Sequence, residues 1–157
     1  MTQQKTVYFA CSWFSEAEKE FMAQGQAQLA KNPTIDWKNS FRPLDYQFNH
    51  IDVDKQPEIT ADLFWQMGTF RSDLAGIDRS DLLCGMYFPK NPDTGMAFEY
   101  GYAYANHKPI VSVIPDDSQE AINLMLLPSV NHYITLSQLA TFDFTNISFQ
   151  PHRAQAL

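Results

Sequence analysis

The sequence predicts an α/β fold in which about five parallel strands form a doubly wound sheet flanked by helices. Three observations carry that expectation. Short apolar runs at 5–11, 81–88 and 109–114 have the length and near-continuous hydrophobicity of strands covered on both faces. Between them lie stretches whose apolar residues recur at helical spacing. The 157 residues, 45% apolar and 14% aromatic, furnish one domain over 1–157 with a core large enough to need no staples.

Lys5 to Cys11 is rich in strand formers and predicts a central strand. Ser15 and Glu18 make a capping box, so a helix begins there and runs to about Lys31. Its apolar face is Ala17, Phe21, Met22 and Leu29, and Asn32-Pro33 stops it. Residues 34–42 alternate, with Ile35, Trp37, Asn39 and Phe41 on one side, which predicts a half-buried strand near a sheet edge. Pro43 to Pro57 shows no period, and a connection of that length can fold over a site as a lid. Ile59 to Ile77 is the clearest helix, with Gly76 placed to end it.

Asp81 to Phe88 is a buried strand, and the Asn91-Pro92-Asp93 turn after it leads into a helix capped by Asp93 or Thr94 and reaching about Asn106. Pro109 to Ile114 is another strand. A short helix is expected from Asp116-Asp117-Ser118 through Leu127, a last strand over 130–136, and a short helix capped by Ser137. The strand–helix alternation gives a flavodoxin-like sheet.

Charge narrows the function. Eleven Lys and Arg against 18 Asp and Glu give −7 with no basic cluster, which argues against nucleic acid or an acidic membrane surface as partner. The N-terminal stretch enters a strand with no signal-peptide core, no apolar run has transmembrane length, and two cysteines set no disulfide framework. A cytoplasmic protein with reduced, buried Cys11 and Cys84 is expected. The first loop has neither a dinucleotide fingerprint nor a Walker loop, the four histidines lack metal-ligand spacing, and no serine sits in a nucleophile elbow. The sequence implies no metal and no cofactor, which leaves chemistry to carboxylates.

Glu99 is the one charged residue between Thr94 and Asn106, among Met96, Phe98, Tyr100, Tyr102 and Tyr104. Burying it is costly without compensation, and its helix follows a parallel strand at the edge where α/β folds bind ligands. The alternative is that Glu99 points to solvent or pairs with Lys108. Asp73 lies in the predicted last turn of its helix, where the dipole disfavours negative charge; if it is also partly buried, its pKa rises and it suits a proton donor. The alternative is an exposed Asp73 paired with Arg71 or Arg79.

Ordered segments across nearly the whole chain resemble the nucleoside 2-deoxyribosyltransferases, most closely the lactobacillus type. They are Val7-Tyr8-Phe9 with Trp13-Phe14, the run 31–36, Asn39-Ser40, Pro43-Leu44-Asp45, Asp73-Leu74 with Gly76-Ile77, the run 98–103, the run 113–116 and the run 122–125. The resemblance implies transfer of a 2-deoxyribosyl group between nucleobases by double displacement with net retention, through a covalent intermediate on Glu99. Asp73 and Asp93 match acidic groups near the base and sugar, and Tyr8 matches the tyrosine that holds the nucleophile. Phe14 and Gln47 match base-contacting positions, and Asn123 and Met125 match residues donated across a subunit interface. Deoxynucleosides and free bases are the implied partners, within a homohexamer built as a trimer of dimers. Where lactobacillus-type members have a Gly-rich turn, this chain has Ala10-Cys11-Ser12. Where some end in an aromatic residue whose terminal carboxylate completes a neighbouring site, this chain has Ala156-Leu157.

Two other readings compete. A deoxynucleoside or deoxynucleotide N-glycosidase would use the same glutamate with water as acceptor, but a monophosphate-specific hydrolase calls for a Ser/Arg phosphate cradle that is absent. A non-catalytic binding or signalling domain would need a donor-rich first loop for a flavin, or clustered aspartates at the first strand end. Ser12-Trp13-Phe14-Ser15 offers neither.

Overall fold

The computed structural model describes residues 3–157. Four parallel strands run side by side in the order β1 (Val7–Cys11), β2 (Leu82–Met86), β3 (Ile110–Ile114) and β4 (His132–Thr135). Tyr8 lies opposite Leu83, Cys84 opposite Val111, and Val113 opposite Ile134. Every residue of the first three strands is buried, as apolar runs require when helices cover both faces.

The period of two sorts the core into two layers. Val7, Phe9, Cys84, Met86 and Val111 face α1 (Glu16–Leu29), which contributes Phe21 and Leu29. Tyr8, Ala10, Leu83 and Ile110 face α2 (Leu63–Arg79) and α3 (Thr94–Ala105), which contribute Ile77 and then Met96, Tyr100 and Ala103. The capping box at Ser15 and Glu18 forms as the sequence predicts.

The expected fifth strand is interrupted. Residues on either side of the break pair with β1 or the stretch just before it: Lys5 bridges Ile35, and Phe41 donates to the Val7 carbonyl at 2.8 Å and accepts from the Phe9 N–H at 2.9 Å. In between, the Asp36 carboxylate takes the Asn39 N–H and side-chain amide and closes a 3-10 turn over Trp37–Asn39. A side chain that supplies its own hydrogen bonds competes with the strand ladder. Because this segment flanks β1 on the side away from β2, the chain reverses its direction of advance across the sheet between β1 and β2. That is the switch point at which open α/β sheets bind ligands.

The helix predicted over Ile59–Ile77 begins later and ends later. Asp62 caps it by accepting from the Trp65 N–H at 2.7 Å, so Pro57–Ala61 is a separate 3-10 turn. Gly76 lies inside α2 instead of ending it. A Cβ there would sit 2.5 Å from Phe41 Cδ1, so the glycine lets α2 close on the sheet. The helix expected over 116–127 is absent, because Ile122 and Leu124 pair with the C-terminal residues: Ile122 N–H donates to the Gln155 carbonyl, and Leu124 N–H to that of Leu157. Thr135, not Ser137, caps the short 3-10 turn after β4. The 43–57 connection settles on α2 with the Phe48 ring against Gly68, and Asn49 and His50 adopt positive φ of 56° and 57°. Cys11 and Cys84 are free and buried. No helix among the described residues is long and apolar enough to cross a membrane.

Candidate active site

Glu99 projects from α3 toward β1, where the Tyr8 hydroxyl donates to its Oε1 at 2.5 Å. Tyr8 is fully buried and its ring is held in a stack, 5.5 Å from the Phe41 centroid at 8° between planes, with Tyr46 on the other side of Phe41 at 4.9 Å. Burial, and then the charges of Glu99 and Asp73, push the Tyr8 hydroxyl far up, so it stays a donor. Lys108 gives its ammonium to the backbone carbonyls of Asp78 and Ser80, so it is not the partner of Glu99.

Burial raises the Glu99 carboxyl to about 8; the Tyr8 hydrogen bond pulls it down, and the charges of Asp73 and Asp93 push it up again. Asp73 is raised to about 7, but not for the reason the sequence suggests. It lies six residues before Arg79, beyond the last turn of α2, where the dipole has faded. Burial is what raises it. Arg79 donates to the Ala75 carbonyl, and its guanidinium lies over the Phe41 ring. Asp93 is the N-cap of α3, accepting from the Gly95 and Met96 N–H groups at 3.2 and 2.9 Å. Its charge still reaches both Glu99 and Cys11.

The Tyr8 hydroxyl thus bonds Glu99 and the charges of Asp73 and Asp93 act on it, while none of the other four predicted site residues hydrogen-bonds to this cluster among the described residues. Phe14 is 70% exposed on the β1–α1 loop, against Trp13. Gln47 ties its own loop together, accepting from the Val53 N–H at 2.8 Å and donating to the Leu44 carbonyl at 3.2 Å. Asn123 accepts from the Met125 N–H, and Met125, 78% exposed, borders a groove of about 280 Å³ with Ala97, Gly101 and Tyr104. Helical spacing puts Ala97 and Gly101 on the flank of α3 opposite Glu99.

Two groups escaped the sequence reading. Trp65 Nε1 and Thr69 Oγ1 are buried without a hydrogen-bond partner among the described residues, and with Asp73 they recur every four residues along α2. That spacing is visible in the sequence as a polar stripe in an apolar helix. Glu18 does more than cap α1: Asn91, 73 residues later, donates to it at 2.9 Å. No local pattern signals such a bond. Chemically, the cluster offers a carboxylate held by a phenol for attack and a second carboxyl acidic enough to give up a proton near neutrality. Among the described residues no group of three His, Cys, Asp or Glu side chains could hold a metal ion.

Residues 7–134 match the model of the nucleoside 2-deoxyribosyltransferase family. The chain is 39% identical over 146 residues to the nucleoside deoxyribosyltransferase of Lactobacillus leichmannii, covering 92% of this chain and 93% of that protein. Identity to the enzyme of the same name from Lactobacillus johnsonii is 42% over 133 residues, 84% of this chain and 89% of the relative. A solved 2-deoxyribosyltransferase from Bacillus psychrosaccharolyticus shares the fold, with a TM-score of 0.77 over 94% of this chain and 99% of that one at 23% identity. The chain thus belongs to the nucleoside 2-deoxyribosyltransferase family.

Proposed function

We propose that this pentosyltransferase moves a 2-deoxyribosyl group from a 2'-deoxynucleoside to a free nucleobase by double displacement on Glu99. The observation that carries the reading is the Tyr8–Glu99 hydrogen bond beside Asp73, in a chain of this family. A Glu99 oxygen attacks the anomeric carbon, the C–N bond to the base breaks, and its electron pair leaves with the base, which takes a proton from Asp73. The resulting glycosyl ester is attacked by the incoming base on the other face, its proton returns to Asp73, and two inversions give net retention.

In the free site Glu99, at about 8, holds a proton more tightly than Asp73, at about 7, so the proton has to pass to Asp73 before attack. With both carboxyls raised by burial and Asp73 disfavouring charge on Glu99, the reactive free site holds one proton between the two. As positive charge builds at the anomeric carbon beside Glu99 and negative charge on the departing base, the transition state favours the charge on Glu99 and the proton on Asp73. Tyr8 donates to the charged form.

Asp93 would face the sugar, and Phe14 and Gln47 the base. Asn123 and Met125 would serve a neighbouring subunit's site. Support for a homo-oligomer, a hexamer in this reading, comes from exposed Leu63, Phe64, Met67, Phe70, Phe98 and Leu124, an apolar surface a monomer rarely leaves bare. Incubating the protein with deoxyinosine or thymidine and adenine, then separating the products by chromatography, tests the activity. New deoxyadenosine is expected, whereas free base without new nucleoside would mark hydrolysis and no change would mark a binding module.

A further inference from the structure

Beside the reacting cluster lies a second polar one that the transfer chemistry does not use. Glu18 is 2% exposed, and its carboxylate accepts four hydrogen bonds. Oε2 takes the Ser15 N–H and hydroxyl, both at 2.8 Å, and Oε1 takes the Ser12 hydroxyl at 3.0 Å and the Asn91 side-chain amide at 2.9 Å. The Ser15 bonds belong to a capping box and would form in any helix with that sequence. The other two serve no helix.

Ser12 and Ser15 bracket Trp13-Phe14, so one carboxylate grips both ends of the loop that carries Phe14. Asn91 opens the Asn91-Pro92-Asp93 turn that sets where α3 starts, hence where Asp93 and Glu99 stand. The two loops leave the C-terminal ends of β1 and β2, the neighbouring strands at the switch point. They lie at the same end of the sheet, where Asp93, two residues after Asn91, caps the helix that carries Glu99. We infer that Glu18 is a positioning residue for the transfer, a strap that fixes the Phe14 loop against the Asp93 turn and so sets the span in which the nucleoside lies over Glu99.

Glu18 touches no reacting atom. Its effect runs through geometry, and small displacements of reacting groups cost rate steeply. Burial alone would raise its pKa, but the hydrogen bonds from Ser15, Ser12 and Asn91 outweigh that and leave it lowered, so the strap is charged when the enzyme works.

The inference rests on the proposed transfer, and its test separates the two. Asn91→Ala cuts the strap without touching the capping box; Glu18→Gln weakens both; the double variant closes a cycle. Each protein is assayed for deoxyinosine-to-adenine transfer and melted in parallel. In Asn91→Ala, kcat is expected to fall roughly fivefold with KM for deoxyinosine moving less than about twofold, while the melting temperature stays within about 2 °C of the parent. The double variant is expected to be slower than Glu18→Gln by less than the Asn91→Ala factor, since the amide has already weakened the bond that Asn91→Ala removes. A folded Asn91→Ala with parental kcat overturns the inference whatever Glu18→Gln does, and so do losses that multiply in the double variant. A parental protein that makes no deoxyadenosine overturns the transfer reading itself, and this inference with it.

Discussion

Glu18 and Glu99 are both carboxylates drawn out of water, and their acidities move in opposite directions. Glu18 is the more deeply buried, yet four hydrogen bonds from Ser12, Ser15 and Asn91 hold its pKa below the ordinary value. Glu99 is only partly buried, accepts one hydrogen bond from Tyr8, and sits near Asp73 and Asp93; it is raised to about 8. Burial pushes both carboxyls up, and the donors around each decide whether that push is offset: saturated, the carboxylate stays charged scaffolding, and left with free lone pairs beside like charges, it is reactive and costs stability.

The contrast is broken most severely at Glu99. Glu99→Ala should lower base exchange on the order of 10⁴-fold or more, in keeping with losses on removing a nucleophile. Glu99→Gln should at the same time raise the melting temperature near pH 8. The folded chain holds the Glu99 proton more tightly than the unfolded chain, whose ordinary value is 4.5, so stability falls as pH rises from there to about 8. The amide removes that cost: a gain of roughly a few degrees is expected at alkaline pH and none near pH 4, measured by calorimetry across pH.

Asp73→Asn should cost roughly 10²-fold and change the shape of the pH profile. With one proton shared by the pair, kcat/KM should rise and fall around the interval between about 7 and about 8, and the asparagine should abolish the alkaline fall. Tyr8→Phe should cost about tenfold and move the acidic limb to higher pH, since the charged form of Glu99 loses its donor. The smallest effect is at Glu18, where Glu18→Gln should destabilise the fold by about 2 kcal/mol at neutral pH. Because the Glu18 pKa is lowered on folding, its contribution is present above the ordinary value of 4.5 and lost as pH falls through the folded value; denaturant titrations of parent and variant should converge at low pH.

What could be read from sequence divides along the same line, between local and distant partners. The Ser15–Glu18 box, the Asp93 cap and the three buried strands depend on residues a few positions apart, and all three formed. The missing helix at 116–127 and the passage of α2 through Gly76 depend on the 155–157 tail and Phe41, which no window of neighbouring residues contains. Asp73 shows the intermediate case: its raised pKa was legible, but the cause was burial against the rest of the fold and not its place in the helix. Glu99 stood out because it was the one charge in an apolar helix. The Tyr8 bond that makes it useful spans 91 residues and came into view only through the resemblance to a family.

In the proposed transfer the Glu99 carboxylate takes the sugar. Mixing the protein with deoxyinosine and no acceptor base, quenching in acid, and mapping the digest by mass spectrometry tests it directly. One deoxyribosyl group is expected on the peptide that carries Glu99, gone once adenine is supplied. Transfer proceeding while that peptide stays unmodified, or with the group on another residue, would contradict it.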